Sequence, residues 1–316
     1  LGPNGAGKST LLLALAGLLP ARAGSLTACA GTALVFQRPL LVRGSARWNV
    51  EVALWSRGLA RRDRRRRADA ALERFGVGAL AARDAATLSG GEARRVALAR
   101  AFAVEPGALL LDEPFDDLDA EARERLVVDL RRALSESGIA VALVSHELRH
   151  ALAFADRIAV LCEGRLVQTG PREELLRRPI DARVAPLVGM TNLLPGRVAA
   201  GSTDVGFVEV ALDAGGRLMA DARGAPPGAA VLVGVRPEHV KLDVEGGDRG
   251  VVGQGRVREL LSDGAVVTAW IEWEGTVLRT HLLAGRGLGH ELKPGASVRI
   301  AIRPEDVHLL PPTDLR

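Results

Sequence analysis

The first residues of the chain have the composition and spacing of a phosphate-binding loop. Gly2 to Ser9 fit the pattern G-x-x-x-x-G-K-S/T, in which glycines free the backbone so that successive amide groups can surround nucleotide phosphates. Lys8 would reach the phosphates as a point charge, and Ser9 would offer its hydroxyl to Mg²⁺. The apolar run Leu11–Leu19 predicts a helix whose positively polarised N-terminus faces the anion. Only three of the 42 cationic residues are lysines, and Lys8 is one of them.

A second glycine-containing segment, Ser89 to Glu92, also precedes a helix. Ser89 followed three residues later by Glu92, before the periodic apolar stretch 93–103, is typical of a capping box. Gly90 and Gly91 would expose the first amides of that helix. A capped surface helix explains the segment by itself. Such an N-terminus is also an anion site, however, and one ATP cannot lie on two distant loops of one chain, so a partner chain could supply the second loop.

Two short apolar runs end in polar residues that are suited to nucleotide hydrolysis. The run 108–111 is followed by Asp112 and Glu113, and the run 139–144 leads to His146. Both runs read as buried strands, and the carboxyl ends of such strands commonly hold active sites. We expect Asp112 to hold Mg²⁺ or its waters, Glu113 to accept a proton from the attacking water, and His146 to sense the γ-phosphate. A third run, 34–36, ends at Gln37.

The order of these motifs resembles that of the ATP-binding subunit of an ABC transporter. The motifs are GPNGAGKST, Gln37, LSGGE, LLLDEP, the turn from Asp116 to Asp119, and His146, and they cover roughly residues 1–178. The resemblance implies an α/β fold of the P-loop NTPase type, with a mostly parallel sheet and a helical subdomain. It also implies a head-to-tail dimer in which each ATP lies between the first loop of one chain and the second loop of the other.

The resemblance implies a role for each motif residue. Gln37 would join the Mg²⁺ and water network and couple it to the membrane subunit, Glu113 would be the catalytic base, His146 would contact the γ-phosphate, and Asp119 would communicate across the dimer. The expected catalytic residues are Glu113 and His146; the expected ATP-binding residues are Gly2, Pro3, Asn4, Gly5, Ala6, Gly7, Lys8, Ser9, Thr10 and Gln37, with Ser89, Gly90, Gly91, Glu92 and Asp119 acting across the dimer; and the expected Mg²⁺ ligands are Ser9, Gln37 and Asp112. Glu92 stands where glutamine is also common in the family, and its side chain can still cap the helix.

The chain starts at Leu1 without a methionine, at what would be the last residue of the strand before the phosphate loop. By the resemblance, we expect a few dozen residues to be missing, including strands and an aromatic residue that stacks on adenine. A chain that starts here is predicted to bind ATP poorly and to expose a sheet edge. Equal ATP affinity in a version extended at the N-terminus would refute this.

A change of sequence pattern divides the chain after residue 178. A length of 316 residues suggests about two domains, and helical periodicity gives way to short alternating runs after a segment rich in proline and glycine. We expect an ATPase domain over 1–178, a linker over 179–190 and a β-rich domain over 191–316. The runs that predict strands are 205–212, 230–235, 251–260, 265–271, 276–283 and 298–302.

The β-rich domain contains a partial internal repeat. VGVRPEHVKL at 233–242 is echoed by IAIRPEDVHL at 300–309, which two similar strand ends around an Arg-Pro-Glu turn would explain. Together with GMTNLLPG at 189–196, the repeat resembles the OB-like barrel (TOBE) extension of many ABC importers. That resemblance implies an extension that helps the subunits to dimerise and binds a regulator or the transported solute.

Composition argues against nucleic acid as a partner. The net charge is +4 with a pI of about 9.8, which mainly reflects arginine in place of lysine. An OB-like barrel that binds nucleic acid needs aromatic platforms, and only Phe207, Trp270 and Trp273 are aromatic after residue 190. The arginine cluster formed by Arg61, Arg62 and Arg64 to Arg67 is interpreted as a solvated helix face, with a contact to a membrane subunit or to anionic lipid headgroups as the alternative.

Other features favour a cytoplasmic, peripheral protein. No apolar stretch reaches the roughly 20 residues that a membrane-spanning helix needs. Cys29 and Cys162 lack metal-ligand spacing and indicate thiols in a reducing compartment.

The predicted function is ATP hydrolysis that drives solute import through separate membrane permease subunits at the cytoplasmic face of the plasma membrane. An external solute-binding protein would be an indirect partner. The segment 36–50, FQRPLLVRGSARWNV, resembles the corresponding segment of molybdate and tungstate importers. Importers of sulfate, iron, polyamines or sugars are alternatives. A soluble ABC ATPase usually has tandem ATPase domains or a long coiled-coil insertion, and a P-loop kinase would leave Ser89 to Glu92 without a purpose.

Overall fold

The computed structural model describes residues 1–27, 31–202, 206–221, 225–242, 250–284 and 292–312, without the side chains of 200–202 and 251. Cys29 and Val205, which the sequence analysis named, lie outside the described residues. The chain divides into two compact units, Leu1–Leu166 and Val167–Arg316. This division falls before residue 178, where the sequence pattern predicts the end of the ATPase domain, and the domain boundaries remain predictions.

The first unit combines a parallel sheet with helices. Its elements are α1 (Lys8–Leu15), β1 (Thr32–Val35), α2 (Ala46–Ala53), α3 (Arg61–Arg74), α4 (Gly90–Ala103), β2 (Ala108–Asp112), α5 (Ala120–Ser137), β3 (Ala140–Val144), α6 (Leu148–Phe154) and β4 (Arg157–Cys162). Among the described residues, β1, β2 and β3 form a parallel sheet in that order, with Leu34 beside Leu110 and Leu111 beside Leu143. The three apolar runs are therefore strands, as predicted. The run 108–111 is buried as expected, but β3, at the edge of the described sheet, is exposed to half-buried, so the prediction of a second buried strand was wrong. Because parallel strands end at the same edge, the residues that follow them come together.

The helices of this unit bury an apolar core against the sheet. Phe75, Leu98, Leu111 and Phe115 are each at most 1% exposed. The first predicted helix is shorter than its apolar run: α1 ends at Leu15, because Gly17 turns the backbone with a φ of +73°. Leu18 and Leu19, at the end of that run, are exposed as a result.

The arginine cluster lies inside α3, in its first two turns. Arg61, Arg62, Arg65 and Arg66 are exposed, whereas Ala68, Ala71 and Leu72 on the same helix are buried. Arg64 donates to the carbonyl oxygen of Leu59 at 2.7 Å, and Arg67 lies 3.1 Å from Glu105. The cluster therefore presents an exposed helix face, and its role remains a prediction.

The second unit is rich in antiparallel strands. Its elements are β5 (Arg165–Pro171), which pairs with β4 and contains the division between the units, α7 (Arg172–Arg177), β6 (Asn192–Ser202), β7 (Phe207–Leu212), β8 (Arg217–Asp221), β9 (Ala230–Val235), β10 (Lys241–Leu242), β11 (Val251–Ser262), β12 (Val266–Trp273), β13 (Thr276–Leu283), β14 (Ser297–Ala301) and β15 (Val307–Leu310). In the described part, two antiparallel sheets have the orders β15-β9-β6-β7-β8 and β10-β14-β11-β12-β13. Their inner faces share one core that includes Val233, Ile271 and Ile300. This architecture is consistent with the expected OB-like domain.

The internal repeat of this unit has a structural counterpart. Each Arg-Pro-Glu element forms a short 3-10 turn, at Pro237–His239 and at Pro304–Asp306, between two strands. The strand before the first turn, β9, pairs with the strand after the second, β15, and the strand after the first, β10, pairs with the strand before the second, β14. His239 and Asp306, which occupy equivalent positions, lie 3.1 Å apart through Nδ1 and Oδ1. The repeat therefore joins the two sheets.

No helix in the described ranges is long and apolar enough to cross a membrane.

Trp273 is 1% exposed and belongs to the core of the second unit, so it offers no surface on which a base could stack. Cys162 is buried at the end of β4.

Candidate functional site

The first loop is fixed by its neighbours in the first unit. The amino group of Leu1 donates to the carbonyl oxygen of Ala159 at 2.7 Å, and the N–H of Leu161 donates to Leu1 O at 2.8 Å. The N–H of Gly164 donates to Ala6 O at 3.0 Å. The start and the middle of the loop are therefore attached to β4 and to the turn that follows it.

Glycine is required by the backbone of this loop. A Cβ on Gly2 would lie 2.2 Å from Leu161 O, a distance that no real contact allows. Gly5 and Gly7 have φ angles of +78° and +91°, which side-chain-bearing residues rarely adopt. Gly7 is also the residue before α1, and since glycine has no side chain, it cannot cap the first amides of that helix. The loop thus presents a helix N-terminus that a phosphate can satisfy.

Lys8 lies over this loop. Its ammonium group donates to Gly2 O at 3.0 Å and to Pro3 O at 2.9 Å, and the residue is 9% exposed. Its Nζ atom is 3.9 Å from Oε1 of Glu113. The neighbouring Pro3, Asn4, Gly5, Ser9 and Thr10 are exposed, whereas Ala6 is buried. The ammonium group of Lys8 therefore lies between the first loop and Glu113, the residue that follows β2.

Two of the three expected Mg²⁺ ligands are in contact. Ser9 Oγ donates to Oδ1 of Asp112 at 3.0 Å, and Asp112 is 8% exposed at the end of β2. A hydroxyl and a carboxylate are oxygen ligands of the kind that Mg²⁺ prefers, so these residues fit the ion. Gln37, the third expected ligand, instead donates from Nε2 to Oδ2 of Asp116 at 3.1 Å. None of the hydrogen bonds described for the first unit connects Gln37 to Ser9 or Asp112.

Glu113 has the geometry of a constrained and buried carboxyl group. It is 7% exposed and has a φ of +43°, in the left-handed region that non-glycine residues seldom adopt. Its N–H donates to Val144 O at 3.1 Å, which holds it beside the end of β3. Burial raises the pKa of the Glu113 carboxyl; the hydrogen bond from His146 opposes this rise, and the charge of Asp116 adds to it. A carboxylate with a raised proton affinity is suited to general-base chemistry.

His146 contacts Glu113 through both its backbone and its ring. The N–H of His146 donates to Oε2 of Glu113 at 3.3 Å, and Nδ1 of the ring lies 3.2 Å from the same oxygen. The same Nδ1 is 4.0 Å from Oδ1 of Asp116. The His146 side chain is 41% exposed, so an incoming phosphate can reach it. The two expected catalytic residues are thus brought together.

The second loop has the capping box that the sequence predicts. Ser89 Oγ accepts from the N–H of Glu92 at 3.3 Å, and Oε2 of Glu92 accepts from the N–H of Ser89 at 2.7 Å. The hydrogen bond from the Ser89 backbone lowers the pKa of the Glu92 carboxyl. Gly90 is exposed, and no atom of the described residues lies within 4 Å of the Cβ that it could carry; for Gly91 the nearest is Leu118 Cδ2 at 3.5 Å. Neither glycine is needed for the folding of this loop.

Asp119 has a structural role within its own chain. It is the N-cap of α5, and its Oδ1 accepts from the N–H of Ala122 at 2.8 Å. Its expected role across a dimer remains a prediction.

The sequence assigned no site role to two residues, Asp116, which begins the motif turn, and Arg94. Asp116 contacts Gln37 and faces His146, and Arg94 donates to Asp116 O at 3.3 Å and to Phe36 O at 3.4 Å. Arg94 is 2% exposed. Asp116 lies in an acidic turn, and Arg94 is one of many arginines, so neither had a distinguishing local pattern. Glu113, Asp116 and His146 also form a group whose ligand atoms lie within 4.8 Å of one another, close enough to hold a metal ion.

Comparisons with known proteins agree with these motifs. Residues 1–116 match the ABC transporter family, and residues 233–310 match the TOBE domain. The Fe(3+) ions import ATP-binding protein FbpC of Streptomyces avermitilis is 36% identical over 98% of this chain and 89% of its own length. The molybdate/tungstate import ATP-binding protein WtpC of Thermococcus kodakarensis is 34% identical over 78% of this chain and 74% of its own length. A solved dimeric ATP-binding cassette in a post-hydrolysis state with ADP and Pi is 28% identical over 54% of this chain and 82% of that chain, with a TM-score of 0.49.

The match to FbpC extends over nearly the whole of both proteins at an identity that establishes common descent. Ser9 contacts Asp112, Glu113 contacts His146, and the second unit contains the TOBE match. The chain therefore belongs to the ABC transporter family, as one of its ATPases coupled to transport with a TOBE domain.

Proposed function

We propose that the chain binds MgATP at Gly2 to Thr10 and hydrolyses it with Glu113 as the general base. The observation that carries this proposal is the position of Glu113, which lies between Lys8 Nζ at 3.9 Å and His146 Nδ1 at 3.2 Å. Lys8 and the first amides of α1 bind the phosphates, and Glu113 accepts a proton from the attacking water. His146 contacts the γ-phosphate from its exposed side.

Mg²⁺ would be held by Ser9 and Asp112, which are already in contact at 3.0 Å. The ion would supply positive charge to the β- and γ-phosphates. In this proposal Gln37 is oriented by Asp116 and reaches the same network of waters.

The active form is proposed to be a head-to-tail dimer. Gly90 and Gly91 are not required by the backbone or the packing of their own chain, so a close approach from outside explains them best. A phosphate bound on the first loop of the partner is such a group, since the loop from Ser89 to Glu92 starts a helix. Asp119, at the start of α5, would contact the partner in the same interface.

The ATPase is proposed to act at the cytoplasmic face of the plasma membrane on separate permease subunits. The segment after Gln37 supports this, because Leu40 is 58% exposed and Trp55 is 51% exposed. Trp48, which is 37% exposed, packs edge-on against Trp55 at 5.0 Å. Exposed apolar residues of this kind suit a protein partner. Nucleic acid is not proposed as a partner.

The imported solute is proposed to be an inorganic ion. The resemblance of the segment 36–50 to molybdate and tungstate importers favours an oxyanion. FbpC, whose name specifies Fe(3+) ions, matches more of this chain than WtpC does and favours ferric iron. An external binding protein would deliver either ion to the permease.

The variant Glu113→Gln tests the hydrolytic mechanism. It should lower the ATP hydrolysis rate by about 10²-fold or more, while ATP binding is kept and a closed dimer accumulates. Hydrolysis and size-exclusion chromatography with ATP measure both effects. Glu124→Gln, at an exposed glutamate of α5, is the matched control. Rapid hydrolysis by Glu113→Gln would remove Glu113 as the base.

The solute is tested with the complex of this ATPase, its permease and a binding protein in liposomes. The ATPase rate should rise with a binding protein loaded with molybdate, tungstate or Fe(3+), and the loaded ion that stimulates it identifies the cargo. Stimulation only by a polyamine or a sugar would refute an inorganic ion. A full-length protein that does not purify with a membrane subunit would favour a soluble ABC ATPase.

A further inference from the structure

We propose that Asp116 is a positioning residue of the ATPase site. It holds the side chains of Gln37 and His146 in place and, through Arg94, connects them to the helix that starts at the second loop. The inference rests on the proposed ATPase function and gives a role to Asp116, which begins the motif turn but was assigned none.

The carboxylate of Asp116 uses its two oxygens on two different motif residues. Oδ2 accepts from Nε2 of Gln37 at 3.1 Å, and Oδ1 faces Nδ1 of His146 at 4.0 Å. The Asp116 side chain is only 18% exposed, whereas the His146 side chain is 41% exposed. Gln37 is 79 positions away in the chain, and its side chain is exposed. A fixed acceptor is what an exposed amide needs in order to keep one orientation.

The same carboxylate faces the ring of His146. Nδ1 lies near two carboxylates, Oε2 of Glu113 at 3.2 Å and Oδ1 of Asp116 at 4.0 Å. A ring N–H at Nδ1 can donate to a carboxylate oxygen, which leaves Nε2 for the phosphate side. Asp116 favours this orientation of the ring electrostatically.

The backbone of Asp116 connects the site to α4. Arg94, which is 2% exposed, donates from one guanidinium nitrogen to Asp116 O at 3.3 Å and from the other to Phe36 O at 3.4 Å. Phe36 directly precedes Gln37, so one buried guanidinium holds the backbone on both sides of the contact between Gln37 and Asp116. Arg94 lies in the second turn of α4, whose first turn is the proposed partner-facing loop. A displacement of α4 when two chains meet would therefore reach Gln37 and His146.

Asp116→Asn tests this inference, with Glu124→Gln, at an exposed glutamate of α5, as the control. The asparagine at position 116 would keep an acceptor for Gln37 but would lose the charge that faces His146. We expect Asp116→Asn to lower kcat for ATP about 10-fold, with KM changed less than about 2-fold, and Glu124→Gln to match wild type.

A double-substitution series tests whether Asp116 acts through Gln37. Asp116→Ala and Gln37→Ala should each lower kcat, and the double variant should be no slower than the slower single variant, because the two residues act as a unit. Thermal unfolding shows whether each variant is folded. Asp116→Leu, which is similar in size and accepts no hydrogen bond, replaces Asp116→Ala in the series if that variant unfolds.

The outcomes separate this inference from the proposed function. A wild-type protein without ATPase activity would remove the proposed function and this inference with it. An active wild type with Asp116→Asn equally active would overturn this inference only. Multiplicative losses in the double variant would show that Asp116 does not act through Gln37 and would likewise overturn it.

Discussion

Gly2, Gly5 and Gly7 in the first loop are required by the protein's own backbone, whereas Gly90 and Gly91 in the second loop are not. A side chain on Gly2 would collide with Leu161 O, and the other two glycines of the first loop have positive φ angles. The second loop has open space at Gly90 and ordinary contact distance at Gly91. The first loop therefore needs glycine in order to fold, and the described residues around the second loop place no such requirement on it.

The two helix N-termini differ in the same way. The first helix, α1, follows a glycine that has no side chain to cap it, and α4 starts with a complete capping box from Ser89 and Glu92. A capped N-terminus is stable without a ligand, while an uncapped one gains a partner when an anion binds. This difference suits one loop that binds phosphate within the chain and another that is preformed for a second chain. Substitutions in the two loops can test the distinction.

The largest effect is expected from Lys8→Ala in the first loop. Removal of the ammonium group that Gly2 and Pro3 hold in place should lower ATP hydrolysis by about 10²- to 10³-fold, because a preorganised charge on the phosphates is lost. Lys293→Ala, at an exposed lysine, should leave the rate unchanged. Hydrolysis of ATP under saturating Mg²⁺ measures both variants, and a Lys8→Ala rate near wild type would remove the first loop from the ATP site.

The second-largest effect is expected on the unfolding free energy, from the matched pair Gly2→Ala and Gly90→Ala. The first variant should lose about 1–3 kcal/mol of unfolding free energy, because the new Cβ displaces the backbone at Leu161. The second should keep or slightly raise the stability, since alanine is a better helix residue than glycine. It should still lower the ATPase rate, if a partner's phosphate approaches Gly90. Urea unfolding and ATPase assays distinguish the two; equal losses of stability would contradict the comparison.

A smaller effect is expected from Ser89→Ala. Loss of the Oγ acceptor leaves the N–H of Glu92 without its cap and should cost about 1 kcal/mol of unfolding free energy. Ser135→Ala, at an exposed serine within α5, is the control and should be close to neutral. Denaturant unfolding of the two variants gives the difference. An unchanged stability in Ser89→Ala would mean that the capping box does not stabilise α4.

The smallest effect is expected on the pH dependence of the stability that the capping box of Ser89 and Glu92 provides. The pKa of Glu92 is lowered by the hydrogen bond from Ser89, so its folded-state pKa is below the unfolded value of about 4.5. Between these two pKa values the unfolded state binds more protons than the folded state. The contribution of Glu92 to the unfolding free energy is therefore present above about pH 4.5 and is lost as the pH falls through the folded-state pKa. Glu92→Gln should show a weaker loss of stability over this range. Parallel pH dependences in wild type and Glu92→Gln would contradict the assignment.

The contrast between the two units shows why some of this could be predicted from sequence. In the second unit, short runs rich in β-branched and apolar residues predicted β9 and β13 with the observed bounds, because such residues suit a strand that packs on a core. In the first unit, the strands that end at Asp112 and Val144 were predicted because parallel strands are often short apolar runs, although only the first of them is buried. The end of α1 was not predicted, since the apolar run continues through Gly17.

Side-chain positions were harder to predict than the elements. The turn after Glu113 is acidic throughout, so the pattern does not show which carboxylate contacts Gln37. Arg94 has the same type as its neighbour Arg95, yet Arg94 reaches Phe36 O while Arg95 donates to Phe75 O at 2.9 Å. The helix rotation and the neighbouring elements decide between them, and those are properties of the packed unit.

The sequence by itself determined the features that depend on neighbouring residues. These are the phosphate loop with its required glycines, the capping box at Ser89, and the polar ends of the apolar strands, since each is fixed within about ten residues by backbone conformation or local hydrogen bonds. Only the tertiary structure decided which of these features meet. Ser9 reaches Asp112 across 103 positions and Gln37 reaches Asp116 across 79, because strand order and helix packing, which no local pattern encodes, bring them to the same edge of the sheet.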